Sequence, residues 1–149
     1  MIRRILLFNN KEDKEILKTK SELVINIDEE CKTLIQDLKD TLHATMGGKG
    51  ISAIQIGVPK RICICSWGGK EIAMINPVIT RKRGCQLYEE GCLSAPGKFK
   101  KISRAQKVWC TFTNENGEQE EIADGGRMSD IIQHELDHFE GVCLVEGEE

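Results

Sequence analysis

The chain has 149 residues, 40% of them hydrophobic and 30% charged, with a net charge of -3 and a pI near 5.7. That length suits a single domain over residues 1–149 that buries its core without disulfide or metal staples, and the composition is that of a globular chain. The acidic balance excludes a basic nucleic-acid footprint, and no apolar run reaches the roughly 18 residues a membrane helix needs, so neither nucleic acid nor membrane is expected as a partner.

Met1–Phe8 starts like a signal peptide, but its apolar run is too short and charged Lys11-Glu12-Asp13-Lys14 follows directly. The segment reads as a short strand of a cytoplasmic protein. From Ile27 to Leu42, Ile27, Cys31, Leu34, Ile35, Leu38 and Leu42 recur at helical spacing, with Asp28 as N-cap and His43 at the helix end. A glycine-rich segment, 47–57, comes next. Strand-like runs follow at Arg61–Cys65, Ile72–Ile75 and Val108–Thr113, and Asn116-Gly117 marks a hairpin turn into Gln119–Ile122. Alternation puts Cys63 and Cys65 on one strand face, as small hydrophobes rather than a second metal site. Seven cysteines, an odd number at irregular spacing, point to reduced thiols. Lys98, Lys100, Lys101, Arg104 and Lys107 read as a solvated loop and strand edge. A last helix spans about Arg127 to Glu140, with Met128, Ile132, Leu136 and Phe139 as its buried stripe. Helix, antiparallel strands, helix is an α+β order.

The sharpest chemical signal lies on that last helix, His134-Glu-Leu-Asp-His138. Residues i and i+4 share a helix face, so two imidazoles can grip one ion while Glu135 acts on a water beside it. Catalytic sites keep three protein ligands and one open position. Of the carboxylates downstream only Glu140, Glu146, Glu148 and Glu149 remain, so the third ligand is sought upstream, at Cys92 in Glu89-Glu-Gly-Cys-Leu-Ser-Ala-Pro96. Gly91 and Pro96 bound this stretch, which reads as a loop.

Three segments together, Gly48-Lys-Gly-Ile-Ser-Ala-Ile-Gln55-Ile-Gly57, Glu90-Gly-Cys92-Leu93-Ser94 and Gln133-His134-Glu135-Leu-Asp137-His138, resemble the peptide deformylases from about Ile5 to Val145. Asn76-Pro77, Arg104 and Ala123-Asp124-Gly125 match further family landmarks. The resemblance implies antiparallel sheets packed around the metal-binding helix. It implies removal of the formyl group from the N-terminal formylmethionine of newly made proteins. One divalent metal would be held by Cys92, His134 and His138, ferrous iron in the cell, with Zn2+, Ni2+ or Co2+ possible as purified. Glu135 would move the proton of an activated water, the Gln55 amide and the Leu93 backbone N–H would hold the oxyanion, and Gly50 would admit the substrate chain. Asp137 would stand behind the ligands with Arg104 as partner.

Several positions depart from the family pattern. Lys49, Tyr88 and Arg127 replace residues that are usually apolar or aliphatic, and Ser129 and Asp130 replace the Ala-Arg or apolar residues common before the helix motif; positions near 49, 88, 127, 130 and 131 line the family's methionine pocket. Arg127, Ile131, His134 and His138 form one helix stripe, and Asp130 can pair with Arg127. The chain ends eleven residues after His138, so the helix with which some bacterial deformylases dock on ribosomes is expected to be absent. Two alternatives stand beside deformylation: a related amide hydrolase with altered substrate selectivity, motivated by the polar pocket, and a non-catalytic metal-binding homologue.

Overall fold

Local chemistry sets the helices. Asn10 caps α1 (Lys11–Leu17) by accepting a hydrogen bond from the Asp13 amide, and Asp28 caps α2 (Glu29–His43) by accepting from the Cys31 amide. Each cap satisfies an amide that the helix itself leaves unpaired, and acidic residues in the first turns complement the helix dipole. The computed structural model describes residues 1–146; residues 147–149, on which the expectation of a short C-terminal end falls, lie outside the described residues.

The strands are β1 (Gly50–Ser52), β2 (Ile62–Trp67), β3 (Lys70–Arg83), β4 (Gln86–Cys92), β5 (Ala95–Arg104), β6 (Lys107–Thr113) and β7 (Gln119–Gly125); α3 (Gly126–Phe139) follows. β1, β2, β3, β6 and β7 form an antiparallel five-stranded sheet in that order, and β4–β5 form a separate two-stranded sheet. The class is the α+β arrangement the sequence predicts.

β2 shows why the two long helices flank the same sheet. Side chains alternate along a strand. Ile62 and Ile64 pack with Leu34, Ile35, Leu38 and Leu42 of α2, whereas Cys63 and Cys65 pack with Met128, Ile132 and Phe139 of α3. The two cysteines are small hydrophobes in a core. A third cluster, Leu6, Phe8, Leu17, Ala95, Ile102, Cys143 and Val145, joins the N-terminal segment, the small sheet and the end of the chain.

Three expectations are corrected. Met1–Leu7 is not a strand: it runs alongside the site, with the Leu6 amide donating to the Gln55 carbonyl (2.7 Å) and the Phe8 amide to the Ser94 carbonyl (2.9 Å). α1 was not anticipated, because seven mostly charged residues carry no apolar period. The stretch around Cys92 is not an open loop but the bulged tip of the β4–β5 hairpin, whose register shifts between Glu90 and Cys92. A buried glutamate at an inward position of β4 breaks the apolar alternation by which strands are read. β3 likewise runs past Ile75 because Asn76-Pro77 sits in a bulge; Asn76 adopts φ 51° there and bonds Val24 through its side chain.

Candidate metal centre

α3 presents His134 and His138 one turn apart, with ring centroids 5.1 Å from each other and the rings nearly perpendicular. The bulge at Gly91 turns Cys92 toward them, and its Sγ lies 3.4 Å from His138 Nε2. A Cβ at Gly91 would stand 2.9 Å from the exposed Phe99 ring, which would have to shift to admit it.

Glu90 orients the first histidine. Its Oε1 accepts a hydrogen bond from His134 Nδ1 at 2.8 Å. A carboxylate accepts only, so Nδ1 carries a hydrogen, and in the neutral ring that leaves the lone pair on Nε2. Glu90 in turn accepts from Arg104 Nε (2.8 Å) and Nη2 (3.0 Å), and Arg104 Nη1 donates to Asp137 Oδ2 at 2.7 Å. Burial opposes the charge on Glu90, but the bonds from Arg104 and His134 hold its carboxyl well below the usual range. Burial also opposes protonation of His134; its bond to Glu90 and the fields of Glu135 and Glu90 outweigh it and push His134 up to about 9. His138, buried beside this positive charge, is held well below the ordinary histidine value.

The Sγ of Cys92, one ring nitrogen of each histidine and the Sγ of Cys143 all lie within 4.8 Å of one another. A tetrahedral ion with metal–sulfur bonds of about 2.3 Å and metal–nitrogen bonds of about 2.0 Å sets sulfur and nitrogen about 3.5 Å apart. The Cys92–His138 separation matches that edge. Thiolate with imidazole is also the donor chemistry that suits zinc and iron. The residues fit one divalent ion.

Glu135 is buried beside the ligands, its Oε1 accepting from Ser52 Oγ at 3.0 Å. Burial raises its carboxyl to about 7, against the pull of His134 and the Ser52 hydroxyl. Gly50 leaves the space this carboxylate occupies: a Cβ there would be 2.6 Å from Glu135 Oε2. The Gln55 side chain is fixed at both ends. Its Oε1 accepts from the Ser52 amide (2.9 Å), while its Nε2 donates to Ser94 Oγ (3.0 Å) and lies 3.6 Å from Cys92 Sγ.

A cavity of about 370 Å³ opens over these groups. Lys49, Gly50, Gln55, Cys92, Leu93, Arg127, Ile131, His134 and Glu135 line it, and His138 sits fully buried behind. Tyr88, expected in the wall, is instead buried outside the lining, with its ring 5.4 Å from the Arg127 guanidinium. Neither rim cation is free. Arg127 Nη1 donates to Asp130 Oδ2 (2.8 Å) and to the Glu89 carbonyl (3.1 Å), and Lys49 Nζ and the Arg127 guanidinium stand 5.6 and 6.0 Å from the Trp67 ring centroid. Ile5, Met46, Leu93 and Phe99 add apolar wall.

Sequence reasoning missed Glu90, Ser52, Trp67 and Cys143. Glu90 was visible only as part of a motif, and Trp67 reaches the rim through sheet pairing that no local pattern announces. Cys143 had one signal, a metal-binding residue type five positions after His138, which a search for carboxylates passes over.

A family model described as polypeptide deformylase matches residues 2–147. The chain is 40% identical to a peptide deformylase of Aquifex aeolicus over 98% of this chain and 87% of that one, and 37% identical to peptide deformylase 1 of Clostridium perfringens over 97% of both. Among solved structures, a peptide deformylase from Legionella pneumophila superposes with a TM-score of 0.92 at 34% identity, covering all of this chain and 87% of that one. The protein described here thus belongs to the polypeptide deformylase family of metal-dependent hydrolases.

Proposed function

We propose that the chain removes the formyl group from formylmethionine at the N-terminus of newly made proteins, using one divalent metal held by Cys92, His134 and His138, ferrous iron in the cell. The observation that carries this reading is Glu135, a buried carboxyl held by Ser52 directly beside the ligand set of Cys92, His134 and His138. The ion, when bound, supplies Lewis-acid polarisation and an activated water near neutral pH. Glu135 takes the water's proton and passes it to the leaving amine. Gln55 Nε2, which Ser52 and Ser94 hold in one orientation, and the Leu93 N–H in the hairpin turn donate to the developing oxyanion. Gly50 keeps the strand edge bare where the substrate backbone lies.

The charged ends of Arg127 and Lys49 are engaged at the rim, Arg127 by Asp130 and the Glu89 carbonyl and both by the Trp67 ring. Their stems and the neighbouring Met46, Leu93 and Phe99 offer an apolar side chain a suitable wall. Seven unpaired cysteines suit a reducing cytoplasm, and among the described residues no helix is long and apolar enough to cross a membrane.

The test is formate release from formyl-Met-Ala-Ser by anaerobically iron-loaded enzyme. Wild type releases formate, and Glu135→Gln keeps the metal but loses about a hundredfold or more in rate. Equal turnover by the variant at equal loading overturns the role of Glu135. With formyl-Met, formyl-Leu, formyl-Gln and formyl-Glu peptides, formyl-Met gives the highest specificity constant; a preference for formyl-Glu or formyl-Gln overturns the apolar pocket.

A further inference from the structure

Three buried cysteines, Cys63, Cys65 and Cys110, fill the layer between the sheet and α3 among Met74, Phe112 and Ile132, as small hydrophobes. Cys143 is buried as well, at 8% exposure, but differs in what its sulfur faces. After α3 the chain reverses at Gly141, which has φ 74° and lies so close to the Lys18 carbonyl that a Cβ would meet that oxygen at 2.2 Å. The Gly141 and Val142 amides bond back to the His138 and Asp137 carbonyls, which fixes the path of the next residue. Cys143 arrives in the apolar cluster of Leu6, Phe8, Leu17 and Ala95. The thiol lies within 4.8 Å of the donor atoms of Cys92, His134 and His138. Among the described residues this is the one group of three or more cysteine, histidine or carboxylate donors that converge on a point an ion could occupy.

We propose that Cys143 is a fourth protein ligand, so that the resting protein holds its metal in a closed Cys2His2 set rather than the open three-ligand set of a catalytic site. The inference rests on Cys92, His134 and His138 being ligands. Its chemistry is simple: the Cys143 thiol gives its proton to solvent and its sulfur lone pair to the ion, with no oxidant or reductant involved. Two thiolates and two imidazoles are the donor set of structural zinc sites, which leave no position for water or substrate. Cys143 would therefore bias the centre toward zinc, tighten metal retention and hold turnover down until the thiolate leaves.

X-ray absorption at the zinc edge, on zinc-loaded full-length protein kept reduced, counts the sulfurs directly. Two sulfurs per zinc in wild type are expected, falling to one in Cys143→Ser and Cys143→Ala. Competition with a chelator gives the second readout, a loss of at least about tenfold in zinc affinity in both variants, since even residues that only orient a ligand cost that much. One sulfur in wild type overturns the proposal while leaving the three-ligand centre standing. No sulfur in wild type overturns both. The wild-type count stands alone if either variant fails to fold, and two wild-type sulfurs that persist in a folded variant show that the second is not Cys143 and also overturn it.

Discussion

Glu135 depends on what is missing opposite it. The carboxylate is fully enclosed, bonded to Ser52 Oγ, and sits where a side chain on residue 50 would otherwise be. Gly50→Ala puts a methyl group 2.6 Å from Oε2. The contact is with the reacting end of the side chain, which cannot turn away without breaking its bond to Ser52 or entering the metal centre. We expect Gly50→Ala to retain metal and lose at least tenfold in formate release, since a displacement on the order of 1 Å at a catalytic group costs about that or more. Activity within twofold of wild type, at equal metal content, would show that the carboxylate has room the geometry denies it. The HExxH spacing made Glu135 legible from sequence alone. Its counterpart at Gly50 was legible only through family resemblance, because a glycine in a glycine-rich run does not say which neighbour requires it.

At the scale of elements, the small sheet and α3 are joined through charge rather than apolar packing. Arg104 on β5 is 6% exposed in its side chain and Glu90 on β4 is 4% exposed, so the Arg104–Glu90–His134 part of the network is dry, while Asp137, 31% exposed, meets solvent at its edge. Arg104 looks like one cation among several in the sequence, and its neighbours do extend along a strand edge; register on the two-stranded sheet is what turns it inward. Arg104→Met strands Glu90 with a single donor and leaves Asp137 without its partner. Removing one partner of such a buried pair costs about 3–5 kcal/mol, which urea unfolding of the metal-free protein measures. A loss below about 1 kcal/mol would place the network in the range of solvent-screened surface pairs and sink this reading. The helices were readable because capping and apolar period agree in α2 and α3. β4 was not, because its inward position belongs to Glu90, placed for the metal centre rather than for the core.

Across the whole molecule, the N-terminal segment closes the site side of the fold without belonging to any sheet. Leu6 and Phe8 enter the cluster that holds Cys143 and Ala95, and their amides bond to the carbonyls of Gln55 and Ser94. Short apolar sequence suggested a strand here; the hydrogen bonds of the segment go instead to a 3₁₀ turn at Ala53–Ile56 and to the β4–β5 hairpin tip, which local patterns cannot foresee. Asp13 ties it down. Its carboxylate accepts from both terminal nitrogens of Arg4 (2.8 and 3.0 Å) and from the Leu7 amide (3.0 Å). The Arg4 bonds, then the Leu7 bond, lower its carboxyl from 3.8 to about 2. Between these values the unfolded chain binds a proton that the folded chain does not, so stability falls as pH falls through this window, and the contribution is complete above about pH 5. Asp13→Asn removes the group that titrates. The difference in melting temperature between wild type and Asp13→Asn should be full and constant above about pH 5, shrink as pH drops below that, and level off only below about pH 2. Other depressed carboxyls, such as Glu90 and Asp37, destabilise both proteins in acid alike and cancel in the difference. A difference that stays constant down to pH 2 would mean that Asp13 holds the segment through hydrogen bonds its amide replacement keeps, and that its charge contributes nothing.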